Sequence, residues 1–302
     1  MRIVVTGGSG FIGRHVVGRL RDRGDEVVVA DLKPFPSPEV DCVVGDLRDP
    51  QVVARALTAG TDAVVHLAAI TSVLLSAKDP HAVFQTNVVA TELLLERCRA
   101  LGVDRFVFAS TNAVAGNVGA VTIDETVLPH PLTPYGATKA AAEMLFSAYA
   151  ASYQMTTVAL RFTNVYGAGM QTKDSVVARL MRCALGGGAI QIYGDGEQRR
   201  DYVYVTDVVA AIELGLSLAH PETLTIGGGR SVSMNELWRT ACDVTGVEIG
   251  AEHVPAKPGE MPAVVVNTSR ARRLGFAPAY DLARGLAATW EDFRSNGGAP
   301  PA

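Results

Sequence analysis

The stretch IVVTGGSGFIGRH (residues 3–15) decides the fold. IVVT (3–6) is β-branched and apolar and reads as a strand. Gly7, Gly10 and Gly13 follow with GxxGxxG spacing, and a helical pattern runs from about Phe11 to Arg23. Strand, glycine turn and helix in that order form a cradle for a pyrophosphate. The first glycine permits the turn, the second lets the backbone approach the anion, and the third packs helix against sheet. The helix start, with Phe11 and Ile12, presents free N–H groups and the positive end of the helix dipole. A glycine triplet alone is weak evidence; its position between a first strand and a first helix supplies the context.

The same alternation continues along the chain. EVVVA (26–30), DCVVG (41–45), DAVVH (62–66), RFVFAS (105–110) and TVALRF (157–162) read as further strands, with helices near 80–101 and 135–153. Strands apolar on both faces belong to a parallel sheet covered by helices on both sides. Right-handed crossovers then give a Rossmann-type, doubly wound α/β fold. After about Gly167 the rhythm weakens. A helix near 173–185, the loop GDGEQRRDY (194–202), a strand near 223–226 and a helix near 234–245 suggest a smaller α/β substrate lobe. The expected division is a dinucleotide-binding domain over 1–167, with a returning segment near 202–227, and a lobe made mainly of 168–302. The tail SNGGAPPA (295–302) reads as disordered.

Composition narrows the function. The chain has 302 residues, 48% hydrophobic and 19% charged, which suits a packed globular protein. A net charge of −4 disfavours nucleic acid and anionic membranes as partners. The basic run RARR (270–273) then reads as a solvated helix face. Cys42, Cys98, Cys183 and Cys242 form no CxxC, and the six histidines form no HxxxH pair, so neither a disulfide framework nor a metal site is expected. No segment nears ~20 apolar residues, and a strand pattern begins at Arg2 with no signal peptide before it, so a cytoplasmic location is expected.

Two carboxylates refine the cradle. Asp31 ends the second strand, where it can accept hydrogen bonds from the adenosine ribose hydroxyls. It repels a 2′-phosphate and so favours NAD over NADP, although Lys33 stands nearby. Asp46, followed by Leu47 in GDLRD, reaches the same sheet edge, where it can meet the adenine amino group or cap a turn.

The second motif is LTPYGATKAAAE (132–143). Thr133 suits a helix N-cap and Pro134 the first helical position. Tyr135 and Lys139 then sit at i and i+4 on one face. A phenol is a poor base at neutral pH, and a neighbouring ammonium favours its phenolate, so the pair can move a proton at a carbinol carbon. Ser110 and Thr111 end the fifth strand at the carboxyl edge, where open α/β sheets bind ligands, and can hydrogen-bond a substrate oxygen.

Together these residues resemble the extended short-chain dehydrogenase/reductases, within them the NAD-dependent sugar epimerase/dehydratase group typified by UDP-glucose 4-epimerase. The resemblance runs through TGGSGFIG, Asp31, GDLRD, HLAA (66–69), Asp79-Pro80 with Asn87, Ser110–Thr111 and PYGATK. It continues through LRFTNVYG (160–167) and YGDGEQRRDYVYVTD (193–207) to KPGEMP (257–262). It implies a triad of Thr111, Tyr135 and Lys139, with Tyr135 taking a proton from a sugar hydroxyl and Lys139 also binding the nicotinamide ribose. It implies that Leu67, Ala68, Ala69 and Asn87 line the cofactor site. It implies that Asn164, Arg200 and Lys257 hold a nucleotide-sugar diphosphate, and that two protomers pair through helices like those near 80–101 and 135–153. Dehydratases of the group carry Asp-Glu directly after the catalytic Thr, and decarboxylases a Glu two residues after it; here Asn112 and Ala113 follow Thr111. The expectation is therefore NAD-dependent C4 epimerisation of a UDP-hexose, with a nucleotide-sugar 4-ketoreductase using NAD(P)H and a non-catalytic dinucleotide-binding protein as rival readings. Lys257, Asn267 and Ala115 depart from the usual Arg, Asp and Tyr of the group, and the first two leave the sugar open.

Overall fold

The computed structural model describes residues 1–119, 121–256 and 263–296; Lys257, the KPGEMP segment and the tail from 297 lie outside these residues. The chain divides into two compact units. The first comprises Met1–Asn117, Glu125–Phe162 and Val209–Thr225, and the second comprises Val118–Asp124, Thr163–Val208 and Ile226–Ala302.

The first unit opens with β1 (Arg2–Thr6), α1 (Phe11–Asp22), β2 (Glu26–Asp31), β3 (Asp41–Val44), α2 (Pro50–Ala56) and β4 (Ala63–His66). It continues with α3 (Val73–Lys78), α4 (Pro80–Phe84), α5 (Ala90–Leu101), β5 (Arg105–Thr111), α6 (Pro134–Tyr153) and β6 (Thr156–Phe162). The strands lie in the order β3-β2-β1-β4-β5-β6 and pair in parallel. This is the order of the dinucleotide-binding doubly wound sheet, with the reversal at β1/β4 creating the crevice for a ligand. The strands carry Val, Ile and Phe on both faces because both are covered: Val4, Val28, Val64, Phe106 and Phe108 join one core with Leu94, Leu95, Ala142 and Phe146 from the helices.

One expected helix, near 80–101, is interrupted. Between α4 and α5 the segment Gln85–Val89 forms a π-helical turn. Such bulges are uncommon and cluster at functional sites. Here the wide turn carries Asn87, whose buried side chain bonds the backbone of Ile70 twice.

The second unit contains β7 (Asn164–Tyr166), α7 (Val176–Gly186), β8 (Ala189–Tyr193) and β9 (Arg199–Tyr204). Next, α8 (Val205–Ser217) leads the chain back into the first unit, and β10 (Glu222–Ile226) joins the large sheet beside β6. Then follow β11 (Ser231–Ser233), α9 (Met234–Thr245), β12 (Gly250–Val254), α10 (Ser269–Arg273) and α11 (Leu282–Ser295). In this unit β11, β9 and β7 form a three-stranded sheet and β12 pairs with β8. The loop expected over 194–202 is corrected: from Arg199 onward it is strand. Arg199–Asp201 pair with Ser231–Ser233, and Tyr202–Tyr204 with Asn164–Tyr166, so tertiary pairing overrides a polar local sequence.

Candidate active site

The glycine cradle has the close packing its spacing predicts. Gly7 adopts φ +69°, and a Cβ there would lie 2.6 Å from the backbone nitrogen of Ala68. A Cβ on Gly13 would lie 2.2 Å from the carbonyl oxygen of Gly7. Side chains at either position would close the turn or push α1 off the sheet. Gly10 is the N-cap of α1 and supplies no side-chain cap, so the first-turn N–H groups are kept for an anion. Asp31 stands beside this loop. Its carboxylate accepts from the backbone N–H groups of Ser9 at 3.0 Å and Lys33 at 3.1 Å, and the Ser9 hydroxyl donates to the Lys33 carbonyl. The acid therefore fixes the loop that it borders. A pyrophosphate fits the helix start, and ribose hydroxyls suit the lone pairs of Asp31 that remain. Asp46 takes the guanidinium of Arg48 in a close ion pair and the Arg48 backbone N–H at 2.9 Å, which holds its carboxyl below the usual range. Leu47 beside it is buried, whereas Leu67, Ala68 and Ala69 are only partly covered beyond the end of β4.

The residues expected to form the triad are carried by β5 and the first turns of α6. Thr133 caps α6 by accepting from the Gly136 N–H at 3.1 Å, and Pro134 occupies its first turn. Gly136 brings that turn against the chain after β5: a Cβ there would lie 2.7 Å from the Ala113 carbonyl. Tyr135 and Lys139 then share a face. Burial pushes the Tyr135 phenol up to about 12, and a side-chain hydrogen bond with Thr111 pulls it back. Burial pulls Lys139 down to about 7, against an opposing influence of Glu143. The Lys139 ammonium donates to the Ala109 carbonyl at 2.7 Å and lies 4.5 Å from the Phe108 ring centroid. Burial outweighs the carbonyl, the ring face and the Glu143 carboxylate that favour the cation, which poises Lys139 near neutrality.

The two β5 hydroxyls face opposite ways, as alternate strand residues must. Thr111 meets Tyr135 and also accepts from the Ala113 N–H at 3.2 Å. Ser110 turns to α6 and donates to the Glu143 carboxylate at 2.5 Å. Glu143 itself pairs with Arg161 of β6, with contacts of 2.7, 3.1 and 3.2 Å and side-chain exposures of only 8% and 5%. This buried pair is a feature that the motif reading misses. Its signal is the spacing: Glu143 stands at i+8 from Tyr135 and i+4 from Lys139, on the same helical face.

The expected diphosphate ligands Asn164 and Arg200 belong to the second unit. Asn164 begins β7 and is exposed, and its amide donates to the Asp201 carbonyl at 2.9 Å. Arg200 lies in β9 and its guanidinium donates to the Arg199 carbonyl at 2.8 Å. Asp201, between them in register, is buried and accepts from the Thr163 hydroxyl and the N–H groups of Gly228 and Gly229, which fixes this strand. Asn267 caps the turn into α10, accepting from the Ser269 N–H at 3.0 Å. Among the described residues no group of His, Cys, Asp and Glu could hold a metal ion, and no helix is long and apolar enough to cross a membrane.

Comparison with known proteins agrees with this geometry. The profile of the NAD dependent epimerase/dehydratase family matches residues 3–227. The crystal structure of UDP-glucose 4-epimerase from Thermotoga maritima, with UDP-glucose, superposes with TM-score 0.93 at 34% identity, covering 98% of this chain and 99% of that one. The Thermus thermophilus UDP-glucose 4-epimerase complex with NAD gives TM-score 0.91 at 35% identity, with 97% and 99% covered. A dTDP-glucose 4,6-dehydratase of Streptomyces griseus is 34% identical over 307 residues, covering 95% of this chain and 92% of that protein.

Proposed function

The chain belongs to the NAD-dependent epimerase/dehydratase family, and we propose that it inverts C4 of a nucleotide hexose of the UDP-glucose/UDP-galactose type through a transient 4-keto sugar. The observation that carries the choice of reaction is the pair after Thr111. Asn112 and Ala113 form a short 3-10 turn there, and neither side chain ionises. Loss of water from the sugar needs an acid and a base beside the triad, and this turn offers neither.

The residues divide the work as follows. Gly7, Gly10 and Gly13 with the start of α1 hold the pyrophosphate of NAD, and Asp31 holds its adenosine ribose. NAD bound there would supply the acceptor and donor for the C4 hydride. Tyr135, aligned by Thr111, removes the proton from the C4 hydroxyl as the carbonyl forms. Lys139 places positive charge on the same helical face and favours the phenolate. Tyr135 returns the proton after the keto sugar has turned its other face, so each cycle ends with the base as it began. Asn164 and Arg200 anchor the diphosphate about which the sugar turns; a guanidinium suits that anion by charge and fork geometry.

A homodimer is part of this proposal. Phe84 at 45% exposure and Met144 at 62% leave apolar surface on α4 and α6, which a second copy would cover. Analytical ultracentrifugation of the pure protein tests it, with a single monomeric species as the contrary result.

The test of function is incubation of the protein with UDP-glucose and catalytic NAD⁺, without reductant. UDP-galactose approaching an equilibrium mixture supports the reading. A 4-keto-6-deoxy product, or turnover that consumes NAD(P)H stoichiometrically, overturns it in favour of dehydration or ketoreduction.

A further inference from the structure

His66 is fully buried at the end of β4 and takes no part in the chemistry above. It stacks on Phe108 with ring centroids 5.7 Å apart and meets Phe106 edge-on at 6.0 Å. A histidine in such surroundings is often mere filling. Here, however, both ring nitrogens are bonded, and the partners lead in opposite directions. Nδ1 lies 2.6 Å from the Thr6 hydroxyl oxygen, and Nε2 lies 2.9 Å from the Thr91 hydroxyl oxygen.

The protons along this chain can be assigned by elimination, because each threonine hydroxyl has one proton to give. The Thr91 hydroxyl lies 2.7 Å from the backbone carbonyl oxygen of Asn87, which can only accept. Thr91 therefore donates to Asn87, and its oxygen must accept the proton of His66 Nε2. That leaves Nδ1 as an acceptor, so Thr6 donates to it. The Thr6 oxygen is then free to accept the backbone N–H of Ala68, at 3.3 Å. Beyond Asn87 the path continues. Its amide donates to the Thr138 hydroxyl at 3.1 Å, and Thr138 donates to the carbonyl of Tyr135 at 2.8 Å. The Asn87 orientation is fixed independently, because its oxygen accepts from the Ile70 N–H at 2.9 Å and its nitrogen donates to the Ile70 carbonyl at 3.0 Å.

We propose that His66, held as the neutral Nε2–H tautomer, is a positioning residue that ties the strand feeding the glycine cradle to the first turn of the helix bearing Tyr135 and Lys139. One arm, through Thr6, fixes Ala68, whose backbone packs against Gly7. The other arm, through Thr91, Asn87 and Thr138, fixes the peptide of Tyr135. Only this tautomer satisfies every partner. A protonated ring would turn Nδ1 into a second donor facing the Thr6 hydroxyl, whose proton would then lose its acceptor. Burial opposes that protonation and pulls the imidazole down to about 3; the charged group facing it, Lys139 of α6, acts in the same direction. His66 thus stays neutral throughout the physiological range, and its role is directional hydrogen bonding.

The proposal rests on the assignment of the NAD site but not on the identity of the sugar, so its test reads the tautomer and NAD affinity without any sugar. Nitrogen-15 NMR of the histidine-labelled protein with NAD should show one imidazole fixed as the Nε2–H tautomer from pH 5 to 8, assigned by its nuclear Overhauser contacts with the Phe106 and Phe108 rings. An Nδ1–H tautomer or a titration in that range overturns the proposal. His66→Phe keeps the ring stack and removes both bonds. Calorimetry should then show NAD bound at least about tenfold more weakly, 1.4 kcal/mol by the tenfold rule. The amide variants separate the arms. His66→Asn places its oxygen near Nδ1 and should recover NAD affinity, whereas His66→Gln places its nitrogen near Nε2, keeps only the Tyr135 arm and should leave NAD affinity at the level of His66→Phe. Wild-type NAD binding in His66→Phe, or equal losses in all three variants, would reduce His66 to packing. If the variants fail to fold, the wild-type tautomer decides alone.

Discussion

Replacing Glu143 by Gln should destabilise the protein strongly without altering its shape. Glu143 and Arg161 are 8% and 5% exposed at the side chain, and three N···O contacts join them. The guanidinium already has one nitrogen, Nη1, buried without a partner. A neutral amide retains an oxygen for Ser110 but leaves a charged guanidinium in a site that water does not reach. Breaking one partner of a buried ion pair costs about 3–5 kcal/mol. For a unit of 172 residues, at ~2–4 °C per kcal/mol, the melting temperature should fall by roughly 6–20 °C. The assay is urea denaturation followed by circular dichroism, with calorimetry as the second probe. The control is the double replacement Glu143→Leu with Arg161→Met, which removes both charges and should recover most of the loss. A Glu143→Gln protein within about 1 kcal/mol of wild type, or a double variant no better than the single, would refute the claim that this pair is electrostatically essential.

Other predictions follow from the same site. Tyr135→Phe should bind NAD as wild type does and lose about 10²–10⁴-fold in turnover, measured by product formation at saturating substrate. Asp31→Ala should weaken NAD about tenfold, ~1.4 kcal/mol, and narrow its preference over NADP, because it removes the proposed ribose acceptor and the anchor of Ser9 and Lys33; calorimetry with both cofactors checks this. Lys139→Met should abolish turnover yet melt higher than wild type at pH 6. Native Lys139 sheds its proton near 7 and the unfolded chain near 10.5, so the unfolded state binds more protons between these values and wild-type stability rises with pH there. The advantage of the variant should therefore shrink steadily towards pH 10, and a constant gap would count against a buried cationic lysine.

The sheet and the cradle were legible because each rests on local, repeated signals. IVVT followed by three spaced glycines allows few structures, and each β-branched run ended within a residue or two of its strand. Pro134 and Thr133 marked the start of α6 equally well. The second unit was less legible. Arg199–Tyr204 carries polar residues in its first half and becomes a strand only because β7 and β11 flank it. The turn Gln85–Val89 sits inside an apolar helical pattern, and periodicity does not register the extra residue of a π turn.

The polar interior was hidden for a different reason. Glu143, Arg161 and His66 acquire their meaning from partners 18 to 60 positions distant, and no single motif contains both ends. Together they explain how α6 can carry reactive groups on an apolar sheet. Lys139 and Arg161 bring two cations beneath the sheet edge, and Glu143 returns one negative charge between them. That carboxylate raises the affinity of Lys139 for its proton while burial lowers it. The balance leaves the lysine able to change charge near neutral pH, which a solvated lysine cannot do. His66, facing it, contributes hydrogen bonds and no charge. An ionised residue in its place would upset that balance, whereas a neutral ring with one donor and one acceptor holds the cradle and the helix together and leaves the charge of Lys139 to Glu143.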